Sequence, residues 1–235
     1  RTPMNGIYGN LQLLNNDPIP DPDAAKKIIN TALISTRSLM AILNDILDFS
    51  KIEAGKLTIE KTDFQMSYIM ENLNADIKGL AMKKGISFEI TQALEHDHWI
   101  GDPTRIRQVL LNLCNNAVKF TDNGRIVVSS AYYKNNQQMS FIISDSGIGM
   151  NPDAMKQLFN RFEQADISTT RKYGGTGLGM AIVYSLVKLM GGEIEVDSKI
   201  GVGTIFTVRL PMKKAKEKIL LFRKRIDGRS RFIKH

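Results

Sequence analysis

Two hydrophobic rhythms divide this chain of 235 residues. Up to about residue 52 the apolar positions recur at helical spacing; beyond it, strand and helix periods alternate. Met4, Ile7, Leu11 and Leu14 step by three, four and three, one apolar stripe on a first helix. The stretch 15–22 cannot continue it, because Pro18, Pro20 and Pro22 remove backbone donors and fix φ. Asp21 then reads as an N-cap, with Pro22 at the first position of a second helix. Along that helix Ile29, Ala32, Thr36, Leu39, Leu43 and Ile46 form a stripe, widened by Ile28, Leu33, Met40, Ile42 and Leu47. Two helices cannot bury that much apolar surface between themselves. A second hairpin completing a four-helix bundle would cover it; packing against the rest of the chain is the alternative.

After Glu53-Ala-Gly-Lys56 the pattern changes, and Leu57–Asp63 alternates as a strand. A helix near 65–83, a strand at 86–90 and a helix near 103–119 follow. Residues 125–133 and 139–145 predict a hairpin around Lys134-Asn-Asn-Gln137. A long loop at about 150–174, a helix at 178–190 and strands at 193–197 and 204–210 complete the pattern. The fold class is α+β: a helical hairpin (1–58), then a two-layer α/β sandwich (59–212).

Charge and composition narrow the function without naming it. The formal charge is +8, and after Pro211 ten basic residues stand against two acidic ones. The excess therefore sits in 213–235, which reads as a basic linker or the start of a truncated neighbouring domain. No aromatic-interleaved basic groove or zinc spacing accompanies it, so direct nucleic-acid binding is not expected. No apolar run reaches the roughly 18 residues of a membrane span, and no signal peptide is visible. The lone Cys114 lies on an apolar helix face and reads as a buried thiol in a reduced compartment.

Chemistry concentrates in one polar stripe and three glycine motifs. Arg105, Gln108, Asn112, Asn116 and Lys119 share one side of the helix near 103–119. A solvated face would carry Glu and Lys rather than two asparagines, which are mediocre helix formers. A carboxamide oxygen can ligate Mg²⁺, and Lys119 can meet a phosphate. Asp145 ends an apolar strand, where its carboxylate can accept from an exocyclic amine such as that of adenine. Gly147 and Gly149 follow it and allow close backbone approach. Gly174-Gly-Thr-Gly-Leu-Gly179 lacks the P-loop lysine; it closes the long loop and opens a helix whose amides can hold phosphate. Gly201-Val-Gly-Thr204 is the third motif.

In this order the motifs resemble the catalytic core of bacterial hybrid sensor histidine kinases, within the Bergerat-fold ATPase/kinase superfamily. The resemblance spans roughly 1–212. It rests on the N box (Asn112 to Lys119), the first glycine box (Asp145 to Gly149), the F box (Phe159 and Phe162) and the later glycine boxes. It implies a Bergerat ATP-binding fold, ATP and Mg²⁺ as cofactors, and 150–174 as a mobile ATP lid. By the same likeness Asn116 ligates Mg²⁺ and Asp145 reads adenine, while Asn112, Lys119, Gly147, Gly149, Thr176, Gly177, Leu178, Gly179 and Thr204 complete the nucleotide site. The superfamily's ATP-hydrolysing members carry a glutamate general base four residues before the magnesium asparagine. Here Asn112 holds that position and cannot take a proton, which favours phosphoryl transfer to a protein side chain over hydrolysis. The resemblance further implies a homodimer through 1–58, a receiver domain as phosphoryl acceptor, and a cytoplasmic position in a membrane-anchored parent. A Bergerat ATPase and an inactive dimerising module are the rival readings.

One departure stands out. The family's acceptor histidine belongs to a His-Glu-x-Arg-Thr-Pro motif, and this chain begins at Arg1-Thr2-Pro3. The expectation is ATP binding without self-phosphorylation. His96, His98 and His235 are read as structural or solvated, and Thr2 matches the family's phosphatase threonine.

Overall fold

The computed structural model describes residues 2–15, 21–159 and 177–215, with the backbone of 223–226 and 229–232. Helices α1 (Thr2–Leu14) and α2 (Pro22–Glu53) form the expected hairpin. Asp21 Oδ1 accepts the amides of Asp23 and Ala24 at 3.0 Å each, so the cap read from sequence is in place. The two helices approach closely where a Cβ on Gly6 would lie 2.7 Å from Ser35 Oγ. Of all α2 side chains only Phe49 is buried. Met4, Leu11, Leu33, Met40, Leu43 and Leu47 stay 48–60% exposed.

By backbone contacts the chain divides into two compact units, 1–58 with 152–185 and 59–151 with 186–235. The first unit also contains α5 (Pro152–Gln157), a short helix inside the stretch expected as loop. Helix α6 (Gly179–Leu189) follows the undescribed residues 160–176 and buries Ala181, Ile182, Val183, Leu186 and Val187. Phe159 and Tyr184 stack with ring centroids 5.3 Å apart. The second F-box residue, Phe162, and Thr176 lie outside the described residues, as does most of the expected lid.

The second unit holds two sheets. A five-stranded sheet runs β2 (Ser87–Ala93), β4 (Arg125–Tyr133), β5 (Gln138–Asp145), β7 (Gly203–Pro211), β6 (Glu193–Lys199). Only the β2–β4 pair is parallel; the others are antiparallel. Register aligns apolar rows across it: Val128, Ile143 and Phe206 in one, with Phe141 beside Val208 and Met139 beside Leu210 in the next. All six are buried. Helices α3 (Met66–Lys83) and α4 (Pro103–Phe120) pack together on the sheet. On α4 the apolar set Ile106, Val109, Leu110, Leu113, Cys114, Ala117 and Val118 is buried, which leaves the Asn112/Asn116/Lys119 stripe at the margin. Burial pushes the Cys114 thiol up to about 12, so it stays protonated and inert.

A small sheet of β1 (Thr62–Gln65), β3 (His98–Gly101) and β8 (Lys213–Lys214) lies in the same unit. The expected strand 57–63 is displaced to β1 at 62–65, the four residues that find partners on β3. Upstream of it, Asp102 takes the Glu60 amide at 3.1 Å. Residue 213, read as the start of a linker, instead opens a strand: Lys213 and Lys214 pair with β3, and Ala215 is buried. Beyond the undescribed 216–222, the backbone of β9 (Arg223–Ile226) and β10 (Arg229–Phe232) pairs antiparallel.

Candidate nucleotide site

Helix α4 starts where the sequence dictates. Asp102 caps it, accepting the Arg105 amide at 3.0 Å, and Pro103 occupies the first turn. Its polar stripe places Asn112, Asn116 and Lys119 on successive turns, each half-buried. Lys119 Nζ stands 4.7 Å from the centroid of the Phe120 ring, and burial lowers its pKa.

The far end of α4 meets the loop after β5. The Phe120 carbonyl, which no helical amide reaches, accepts the Ile148 amide at 3.1 Å. A Cβ at Gly147 would sit 2.4 Å from that same oxygen. On the loop's other side, the Gly201 amide donates to Ile148 O at 2.8 Å and the Met150 amide to Ser198 Oγ at 2.8 Å. Gly149 has φ +68°, and a Cβ there would lie 2.0 Å from Lys199 O. These glycines are therefore required by backbone packed on backbone. This packing accounts for them whether or not a ligand also approaches here.

Asp145 ends β5 opposite Thr204 of β7. The Gly147 amide donates to Asp145 Oδ1 at 2.9 Å, and the Thr204 amide also donates to this carboxylate. Burial raises the Asp145 pKa and outweighs these two donors, which act in the opposite direction. Thr204 is itself buried and its Oγ1 lies 2.9 Å from Ser198 Oγ, which also donates to Gly203 O. Ser198 thus ties together three segments of the loop region, and no sequence motif drew attention to it. Its only signal was a small hydroxyl residue preceding a glycine turn.

One unit therefore brings together Asn112, Asn116, Lys119, Asp145, Gly147, Gly149 and Thr204. Gly177, Leu178 and Gly179 belong to the other unit. There Gly177 has φ +72° and Leu178 O accepts the Ile182 amide at 2.9 Å, forming the first turn of α6. Neither described histidine lies on the hairpin helices. His98 Nδ1 is 3.3 Å from Asp63 Oδ1, and His96 Nε2 is 3.1 Å from Ala215 O. Thr2 is the first residue of α1, and His235 lies outside the described residues.

Residues 1–55 match the His Kinase A (phospho-acceptor) domain, and 101–214 match the histidine kinase-, DNA gyrase B- and HSP90-like ATPase domain. The autoinducer 2 sensor kinase/phosphatase LuxQ of Vibrio vulnificus is 41% identical over 91% of this chain and 25% of its own length. The sensor histidine kinase RcsC of Escherichia coli is 37% identical over 90% of the chain and 22% of its own. The chain thus spans about a quarter of the length of these relatives. Among solved structures, full-length ShkA in complex with AMPPNP superposes with a TM-score of 0.72 at 28% identity, over 92% of this chain and 44% of ShkA. ThkA in complex with the response regulator TrrA gives 0.62 at 25% identity, over 93% of this chain and 59% of that one.

Proposed function

This chain carries the phospho-acceptor and ATPase domains of a histidine kinase core, and from that premise we propose that it binds Mg²⁺-ATP and serves γ-phosphoryl transfer to a histidine. The observation that carries the reading is the half-buried Asp145 carboxylate, held between two backbone amides beside the C-terminal end of the Asn112/Asn116/Lys119 helix. Asp145 would accept the adenine amine, and the raised pKa marks a carboxylate whose ionised form lacks solvent and gains from a new donor. Lys119, its charge likewise disfavoured by burial, would take a phosphate. The donor set fits a magnesium nucleotide. A cation here would be held by the Asn116 carboxamide oxygen and by nucleotide oxygens, the hard ligands magnesium prefers.

ATP supplies the phosphoryl group; the chain's residues position it. Asn112, with no proton-accepting group, leaves attack by water without a general base, so transfer to a side chain is the better-supported outcome. Gly177, Leu178 and Gly179 are proposed as phosphate residues through the amides at the start of α6, and Thr176 is proposed with them on the resemblance alone. The uncovered apolar stripe of α1 and α2 supports a homodimer through residues 1–58. Onward transfer to a receiver aspartate, the phosphatase role of Thr2 and a membrane-anchored parent with this region in the cytoplasm belong to the same proposal. Among the described residues no helix is long and apolar enough to cross a membrane.

The test is titration of a magnesium–ATP analogue into the chain beside Asn116→Ala. Saturable binding that becomes insensitive to magnesium in the variant is expected. No binding by the unmutated chain would sink the proposal and leave a dimerising module.

A further inference from the structure

The last turn of α4 poses an accounting problem whose solution lies on another helix. An α-helix leaves its final carbonyls without helical donors. Here Ala117 O takes the Thr121 amide, and Phe120 O takes Ile148 of the glycine loop. The other carbonyls of this stretch converge on one ammonium. Lys84 Nζ donates to Val118 O at 2.7 Å, to Thr121 O at 3.0 Å and to Lys119 O at 3.2 Å. All three hydrogens of the ammonium are used. Asp122 adds a carboxylate 3.8 Å away.

Lys84 is built into its place. It is the C-cap of α3, followed by Gly85 at φ +71°. The Gly85 amide donates to Met82 O and the Ile86 amide to Ala81 O, both at 3.0 Å, the paired bonds of a Schellman turn. Ile86 is buried beyond it, and the Ser87 amide bonds Gly124 O at 2.9 Å. The stem of Lys84 therefore leaves a turn fixed on both sides.

We infer that Lys84 is a positioning residue for the nucleotide site: its ammonium sets the C-terminal turn of α4, and through Phe120 O it sets the loop that follows Asp145. The inference rests on the nucleotide reading above. Its cation at a helix C-terminus also opposes the negative end of the helix dipole. With all three hydrogens engaged by carbonyls, it acts through geometry and does not itself touch phosphate.

Two measurements on Lys84→Met test this. The first is amide hydrogen exchange without ligand: the Ile148 amide is expected to exchange about tenfold faster while amides of β4 and β5 keep their rates. The second is binding of adenosine and of the ATP analogue, both expected to weaken by a similar factor of about ten. Weakened ATP binding with adenosine unaffected would mean a direct phosphate contact and overturn the inference, as would unchanged Ile148 exchange. Lys84→Arg, which keeps the cation, is expected to recover most of the affinity, and it carries the test if the methionine variant does not fold. An arginine variant no better than methionine overturns the charge argument. Failure of the unmutated chain to bind either ligand is a separate result, which removes the nucleotide reading and this inference with it.

Discussion

Replacing Asp145 by asparagine separates two things the carboxylate does. Its oxygens already serve two internal donors, the Gly147 amide at 2.9 Å and the Thr204 amide. In Asp145→Asn a single carboxamide oxygen has two lone pairs and can keep both. The remaining NH₂ then faces the adenine amine, donor against donor. The loss is one hydrogen bond to a charged acceptor, about 1.5–3 kcal/mol, or roughly 10- to 150-fold in affinity. Stability should move differently. The folded-state pKa of Asp145 is raised, so its favourable contribution is present below the unfolded value and lost as pH rises through the folded one. At neutral pH the ionised group costs stability, and the neutral variant should melt no lower than the parent without ligand. Calorimetric titration with an ATP analogue, beside thermal melts between about pH 4 and pH 8, reads both quantities. In the parent, affinity should fall on acidification from a higher pH than an ordinary aspartate would give. The reasoning is refuted if the variant binds within about twofold of the parent, below the smallest loss expected for a charge-assisted hydrogen bond. It is equally refuted if the ligand-free midpoint drops by more than about 5 °C, since the loss would then be one of folding.

Three further outcomes follow from the same geometry. Gly203→Ala places a methyl 1.9 Å from Asp145 O at φ +131°, and a stability loss above about 2 kcal/mol is expected by urea unfolding; an unchanged midpoint would contradict the backbone described. Lys119→Met should weaken the ATP analogue about tenfold yet spare adenosine, unlike the matched losses expected at Lys84, and equal losses for both ligands would count against a phosphate role. Leu43→Glu, on the exposed stripe of α2, should convert a dimer to a monomer by light scattering while nucleotide affinity holds. A variant still dimeric would place the interface elsewhere.

Much of this fold was legible because its signals are local. The Asp21 cap, the three-four steps of α1 and α2, and the turn at 134–137 each depend on residues a few positions apart. What stayed hidden depends on distant partners. Helix α3 has no local cap; Asp97 accepts the Ser67 amide and hydroxyl, both at 2.7 Å, across thirty residues. Strands β3 and β8 are too short for a period to register and exist through their pairing. The site divides in the same way. Residue types that bear chemistry, such as Asn116 and Asp145, stand out in a sequence. Lys84 and Ser198 do not, since a lysine beside a glycine and a serine in a strand are ordinary until their partners are known.

The five-stranded sheet also has a history in time. β4 with β5, and β6 with β7, are hairpins with tight turns, the kind of unit that closes in about 1–10 μs. β5 joins β7 across residues 146–202, which include α5, α6 and β6, a far longer loop to close. Asp145 belongs to the first hairpin and Thr204 to the second. Neither hairpin alone holds the carboxylate between its two amides. During refolding, competence to bind adenine should therefore appear when the hairpins dock, later than the strands themselves, so a nucleotide added to a refolding chain reports the assembly step rather than the formation of its parts.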